Sequence, residues 1–240
     1  PRDPRTLQNI RYEIYWAMVA PYKPNSWILL VDARDTIFQA NPFEHLPRNT
    51  DPSGKSGLLY FFGESIEATN IGKSAQYNYR WILNAYGYEV ATAVQDKPII
   101  CSGATMGENI AIETYLRAMV AEADETGTVV MGSDQGFHNR LYYSNKLASA
   151  DRIHAIVVFD QGTGIVNNLA ALRSQPLEEW GNGRLVEKTD SGGFVVKNWD
   201  GSISPVVHQF DRHKELARYF SRKKGKEDYR KWKQNNENND

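Results

Sequence analysis

The chain has 240 residues, 41% of them hydrophobic and 24% charged, with a formal net charge of −1 at pH 7. This is enough apolar material for one large α/β domain or two small ones, and the charge balance removes any global case for a nucleic-acid partner. A single cysteine, Cys101, excludes an intrachain disulfide framework and a multi-cysteine metal site.

No run has the length and apolarity of a transmembrane segment, and no N-terminal signal pattern is present. There is no Asn-x-Ser/Thr sequon, which argues against heavy glycosylation. The chain opens on Pro1 rather than Met, which suits a fragment or a processed form. After a turn-like lead at Pro1 to Pro4, residues 7–19 place apolar side chains at Ile10, Ile14, Tyr15, Ala17 and Met18, the pattern of an amphipathic helix ending before Pro21 and Pro24. Trp27-Ile28-Leu29-Leu30-Val31 reads as a buried strand that stops abruptly at Asp32-Ala33-Arg34-Asp35-Thr36. Asn41-Pro42-Phe43 reads as a short helix or turn. A second strand is expected at 57–62, a loop at 69–72 and a helix at 75–86.

Residues 98–103 read as a third strand running into a small-residue corner at Ser102-Gly103. The clearest helix is 108–125, with Ile110, Ile112, Tyr115, Leu116, Met119 and Val120 on its apolar face and Gly127 closing it. Val129-Val130-Met131 is short and apolar, and Ser133 reads as the N-cap of a helix over 134–143. A strand follows at 153–159. Turn signals at Ser191-Gly192-Gly193 and Asp200-Gly201 predict hairpins within 181–205. Residues 205–209 end that region, and 216–220 should be helical. A basic run at Arg222, Lys223, Lys224 and Lys226 leads into an Asn-rich tail; it suits a solvated helix end better than contact with an anionic membrane. We therefore expect one α/β domain over 1–217 and a polar tail over 218–240.

Several stretches could carry chemistry. Asp32 and Asp35 at a strand end fit a divalent metal site, because hard oxygens suit hard cations. They equally fit a strand-to-loop turn in which one Asp caps backbone amides and the other pairs with Arg34. Asp134 and Gln135 stand at a helix N-terminus, where negative charge is favourable; they could face a ligand or simply cap the helix with Ser133. Ser102 and Gly103 would let a ligand approach the backbone, or form a tight bend. Cys101 reads as a small buried apolar residue. His208 ends the apolar Val206-Val207 pair and is either structural or a metal ligand. No other histidine pair has ligand spacing. Arg11 and Arg80 are candidates for holding an anion.

Taken in order, these stretches resemble the GT-A nucleotide-sugar glycosyltransferases, nearest to the retaining, glycogenin-like group. The resemblance covers roughly residues 7–215. It is carried by the apolar strand ending in Asp32-Ala33-Arg34-Asp35-Thr36-Ile37-Phe38-Gln39, like the family's Asp-x-Asp element with one extra residue between the acids. Cys101-Ser102-Gly103 matches the family's strand ending in Ser-Gly. Asp134-Gln135-Gly136-Phe137-His138-Asn139 matches Asp-Gln-Gly-x-x-Asn without a gap, and His208 stands in the order of the late metal histidine. The resemblance implies a Rossmann-like mixed sheet flanked by helices with a C-terminal hairpin region. It also implies that the family's opening βαβ unit, which recognises the nucleotide base, is lacking here.

For the site, the resemblance implies Mn²⁺ or Mg²⁺ held by Asp35 and His208 with Asp32. Arg11, Asp32, Arg34, Ser102 and Gly103 would bind the donor, and Asp134 and Gln135 would be catalytic. The implied reaction moves a sugar, with retention, from a nucleoside diphosphate sugar to a hydroxyl of a glycan, protein or small molecule. Cytoplasmic and Golgi-lumenal locations both suit it. Two alternatives compete. The Asp32 to Thr36 stretch is one residue away from the first motif of haloacid-dehalogenase-like phosphatases, whose first Asp is a nucleophile. A glycosyltransferase-like module that binds without turnover is the other.

Overall fold

The computed structural model describes residues 5–47, 51, 53–190, 192–222 and 226. Pro1 to Pro4 and most of the expected 218–240 tail lie outside the described residues. In chain order the elements are α1 (Leu7–Val19), β1 (Trp27–Val31), β2 (Thr36–Phe38), β3 (Gly57–Gly63), a π-turn (Ala75–Tyr79), α2 (Arg80–Tyr86), α3 (Tyr88–Ala93), β4 (Ile100–Glu108), α4 (Asn109–Thr126), α5 (Ser133–Tyr143), β5 (Ile153–Phe159), β6 (Val166–Asn168), β7 (Val186–Lys188), β8 (Phe194–Val196) and β9 (Val206–His208). The chain is mixed α/β, with mixed sheets flanked by helices. It divides into two compact units, residues 1–31 with 43–161 and residues 32–42 with 162–240.

The first unit is built on a four-stranded sheet in the order β1-β4-β3-β5. β4 runs antiparallel to both β1 and β3, and β5 is parallel to β3. The apolar period expected over 108–125 is realised in α4, whose Ile112, Tyr115, Leu116 and Met119 enter a core with Tyr12, Leu59, Phe61, Ile100, Phe137 and Leu141. Gly127 closes α4 in the left-handed conformation, φ 58°, with its N–H on Ala123 O.

Four expectations need correction. β1 is half-buried along its whole length rather than buried, because β4 is its only strand partner among the described residues. The strand does not end at Ser102-Gly103: β4 runs on to Glu108, with β1 and β3 on either side of its second half, and its register against β3 shifts between Ile100 and Thr105, across the small-residue stretch. Ser133 is not the N-cap of α5. The cap is Gly132 at φ 87°, a position where an added Cβ would sit 2.2 Å from the Trp81 ring. The Ser133 hydroxyl instead donates to Val130 O (2.8 Å) and accepts from Asn9 Nδ2 (3.1 Å). The single helix expected over 75–86 is a π-turn followed by α2, ended by Gly87 at φ 83°, with α3 beyond it.

Side chains complete the sheet where a strand stops. β1 pairs β4 only as far as Val31 opposite Ala104. Beyond that point α5 takes over the open edge of β4. The Gln135 amide accepts from Ser102 N (2.7 Å) and donates to Ile100 O (2.6 Å). The Asn139 amide accepts from Ile100 N (3.0 Å) and donates to Ile100 O (2.9 Å). Buried peptide groups at a strand end are costly without partners, and these two amides supply them.

The second unit holds a three-stranded sheet in the order β2-β9-β6 and the hairpin β7-β8, whose connection includes Gly192 and Gly193; Ser191 of the expected turn lies outside the described residues. β2 and β6, three residues each, were not anticipated. The Gln39 amide donates to Val196 O and Ser204 O and accepts from Val196 N, tying the end of β2 to the hairpin. Trp180, Leu185, Val196, Val206, Val207, Phe210, Leu216 and Phe220 are buried, and residues 214–222 are helical.

Gly136 marks the closest approach of α5 to α2: a Cβ there would lie 3.2–3.3 Å from the backbone of Trp81 and Ile82. Gly136→Val should therefore destabilise the chain by about 1–3 kcal/mol despite its gain in helix propensity over glycine. The urea midpoint checks this; a variant as stable as the wild type would show that the helices can part at no cost.

Candidate metal centre

In the second unit, β9 lies between β2, antiparallel with Thr36 opposite His208, and β6, parallel with Asn168 opposite His208. Asp35 immediately precedes β2, and Gln209 N–H donates to its carbonyl (2.8 Å), so the acid is pinned beside the histidine. Asp32, Asp35 and His208 each offer a ligand atom, all within 4.8 Å of one another. His208 Nε2 is 3.7 Å from Asp35 Oδ1 and 3.9 Å from Asp32 Oδ2. The side chains of His208 and Asp35 are 1% and 4% exposed and that of Asp32 is 37% exposed, so Asp32 is the solvent-facing member.

The donor set fits a divalent cation. Two carboxylates brought this close repel, and a shared cation relieves the repulsion. Burial lowers the pKa of His208 against the opposing pull of Asp35 and Asp32, which keeps the imidazole neutral and able to ligate. Three protein ligands leave coordination positions for a substrate.

Two guanidiniums border the cluster. Arg34 reaches Asp35 Oδ2 (3.3 Å) and Asp211 Oδ2 (2.6 Å). Arg212 stands 3.6 Å from the same Asp35 oxygen and bonds Asp211. Arg212 reaches back because Gln209 adopts the left-handed conformation, φ 61°, which turns the chain from β9 into a short 3-10 turn at Phe210–Arg212. That conformation costs a residue with a side chain about 1–2 kcal/mol. The Gln209 hydrogen bonds to Asp35 O and from Ala170 N offset it.

Comparison with protein-family models, curated proteins and solved structures finds no significant match. The functional reading therefore rests on the geometry and on the motif resemblance.

The remaining expected site residues lie in the first unit. Asp134 Oδ2 receives Arg11 Nη2 (2.7 Å), Tyr12 OH (3.4 Å) and Ser102 Oγ (3.4 Å). Its side chain is 6% exposed and that of Arg11 16%, so this is a largely buried ion pair. Burial, opposed by Arg11 and aided by Asp134, raises the Tyr12 pKa and keeps the phenol protonated as a donor. Gln135 is engaged at both ends of its amide by β4 backbone, which makes it a positioning group. Gly103 is buried within β4, one residue before the Ala104–Val31 pair. Arg80 begins α2.

The sequence reading missed Asn168, Asp211, Arg212 and Tyr12. Asp211 and Arg212 had a signal: charges one short turn after a histidine that ends an apolar strand. Asn167-Asn168 after Val166 also had one, a polar pair in a stretch that proves wholly buried.

His138, in the core beside Phe61, bonds Tyr115 OH through Nδ1 (2.8 Å), while its Nε2 has no hydrogen-bond partner. Burial, with a further push from Arg11, lowers its pKa from 6.5 to about 3. Between those values the unfolded chain binds the extra proton, so this contribution is complete above pH 6.5 and falls as pH drops. Linkage expects a loss of about 2 kcal/mol between pH 7 and pH 5 from this one group. His138→Gln should remove that part of the loss in urea titrations at the two pH values. Equal losses in variant and wild type would contradict the assignment.

Proposed function

We propose that the chain is a GT-A-like, metal-dependent glycosyltransferase that moves a sugar from a nucleoside diphosphate sugar to a hydroxyl acceptor with retention. The observation that carries this reading is the convergence of His208 with Asp32 and Asp35, which lie far from it in sequence and which the motif resemblance had joined with it as one metal set. The mixed sheets flanked by helices are compatible with it.

Asp35 and His208 would hold the ion from the buried side, with Asp32 closing the set from the solvent side. A nitrogen donor beside two carboxylates favours Mn²⁺ over Mg²⁺, because imidazole suits transition ions. When bound, the ion would supply Lewis-acid neutralisation of the diphosphate leaving group. Arg34 would give its exposed guanidinium to the donor's phosphates, since Arg matches phosphate oxygens in a fork. In the first unit, Arg11 and Ser102 would orient the Asp134 carboxylate, a group suited to stabilising cationic charge. Gln135 would act indirectly, by fixing the turn of α5 on which Asp134 stands.

A module that binds the donor without turnover is the second reading. The commitment of the Gln135 amide to β4 favours it, since that amide is not presented to a sugar. Calorimetry with UDP-sugars and Mn²⁺ beside a donor-hydrolysis assay separates the two: heat without hydrolysis selects the module. A phosphoaspartate trapped on Asp32 would select the phosphatase class instead.

Asp35→Asn should weaken Mn²⁺ binding and metal-dependent donor hydrolysis by roughly 100-fold or more. Mn²⁺ titration of hydrolysis rates in wild type and variant is the measurement. Unchanged metal-dependent turnover in the variant would sink the assignment.

A further inference from the structure

We infer that Asn168 is a positioning residue for the metal cluster: its side-chain oxygen sets the tautomer of His208 and thereby turns the Nε2 lone pair toward Asp32 and Asp35. The inference rests on reading the cluster as a cation site, and it is independent of which reaction the site serves.

Asn168 is fully buried at the end of β6 and lies directly across from His208 in the parallel register. Backbone locks the two together, since Leu169 N–H donates to His208 O (3.1 Å). Asn168 Oδ1 lies 2.9 Å from His208 Nδ1. An amide oxygen only accepts, so the imidazole proton sits on Nδ1 and Nε2 carries the lone pair. A ligating histidine needs this arrangement, and the partner of its other nitrogen commonly fixes it.

The distances around Nε2 agree. At 3.7 and 3.9 Å from the two carboxylate oxygens it is too far for a hydrogen bond to either. Ligand atoms sharing one ion are roughly 3.0–3.5 Å apart at ordinary metal–ligand lengths, so Nε2 stands only slightly outside that separation from each carboxylate oxygen. The opposite tautomer would aim a proton at the ion's place and draw the ring onto a carboxylate. Asn168 thus keeps the site from collapsing into an ordinary histidine–aspartate pair. Its burial fits this role. A polar amide in a strand that begins with Val166 is expensive to bury without a partner, and the histidine is a partner of matching chemistry.

The test uses the full chain. Long-range ¹H–¹⁵N NMR at pH 7.5 without metal reads the tautomer of His208, and electron paramagnetic resonance reads Mn²⁺ binding. The wild type should show the Nδ1–H tautomer. Asn168→Leu should shift the ring toward Nε2–H and weaken Mn²⁺ binding about 10- to 100-fold. Asn168→Asp, which also accepts from Nδ1–H, should keep the tautomer and bind within a few-fold of wild type. Should Asn168→Leu fail to fold, the wild-type tautomer and Asn168→Asp decide. A wild type that binds no Mn²⁺ overturns the metal reading itself. A wild type that binds Mn²⁺ in the Nε2–H tautomer, an Asn168→Asp that loses the Nδ1–H tautomer, or an Asn168→Leu that binds Mn²⁺ equally well, overturns only the role of Asn168.

Discussion

The register of β9 between its two neighbours is the constraint on which the candidate centre depends. β9 is three residues long, yet it sets Thr36, and so Asp35, on one side of His208 and Asn168 on the other. Side chains alternate across a strand, so a one-residue slip would turn His208 to the opposite face and empty the cluster of its only nitrogen. Three short strands carry too few ladder hydrogen bonds to make that slip expensive by themselves. The register is reinforced from outside the ladder: by Gln209 N–H on Asp35 O, by Leu169 N–H on His208 O, and by the Gln39 amide bridging Val196 and Ser204. The left-handed Gln209 belongs to the same device, since it ends β9 one residue after the histidine and brings Arg212 back toward Asp35.

In the first unit a different economy governs. The Asp-Gln-Gly-x-x-Asn stretch is the most specific part of the resemblance, and nearly every residue in it has a structural duty here. Gln135 and Asn139 replace a missing strand at the edge of β4, Gly136 admits α2, and Phe137 and His138 fill the core. Asp134 alone of the six is held by charge, from Arg11. A run of residues can therefore be specific because a sheet edge must be finished by a helix, with a single position left over for chemistry. Buried polar groups this fully satisfied also rigidify the element that bears them, so Asp134 stands on a fixed platform.

Long periodic elements were legible in the sequence. α1, α4 and β5 fall close to where the sequence places them, but only α4 buries the face expected: in α1 Ile14, Ala17 and Met18 are exposed while Asn9, Tyr12 and Val19 are buried, and β5 is half-buried over 155–159. Short elements were not. β2 and β6 have no period to read, and their pairing with β9 is decided by contacts distant in sequence. The metal set was legible only through the order of motifs: Asp32 and Asp35 by themselves also fit a turn, and Arg34 does pair with Asp35 as that turn required. Ser133 and Ser102-Gly103 misled for local reasons. A serine before a helix looks like a cap, but the close Trp81 ring demanded glycine at that place; small residues look like a strand end, but pairing with β1 and β3 beyond them carries β4 on to Glu108, the irregularity showing only as a register shift against β3.

The charges around the centre explain why the same residues can be both stable and receptive. Asp32, Asp35 and Asp211 face two guanidiniums, Arg34 and Arg212, with His208 held neutral by burial. The named groups are thus one negative charge in excess. Asp35 divides its carboxylate between the two demands: Oδ2 faces the arginines while Oδ1 faces Nε2. The arginines lower the repulsion between the acids without entering the space between Oδ1 and Nε2. A divalent cation taken there would reverse the sign of the local charge, leaving one positive charge in excess with both guanidiniums counted, one of which, that of Arg34, is 70% exposed. On the proposed function, a diphosphate would meet net attraction there only once the cation is in place.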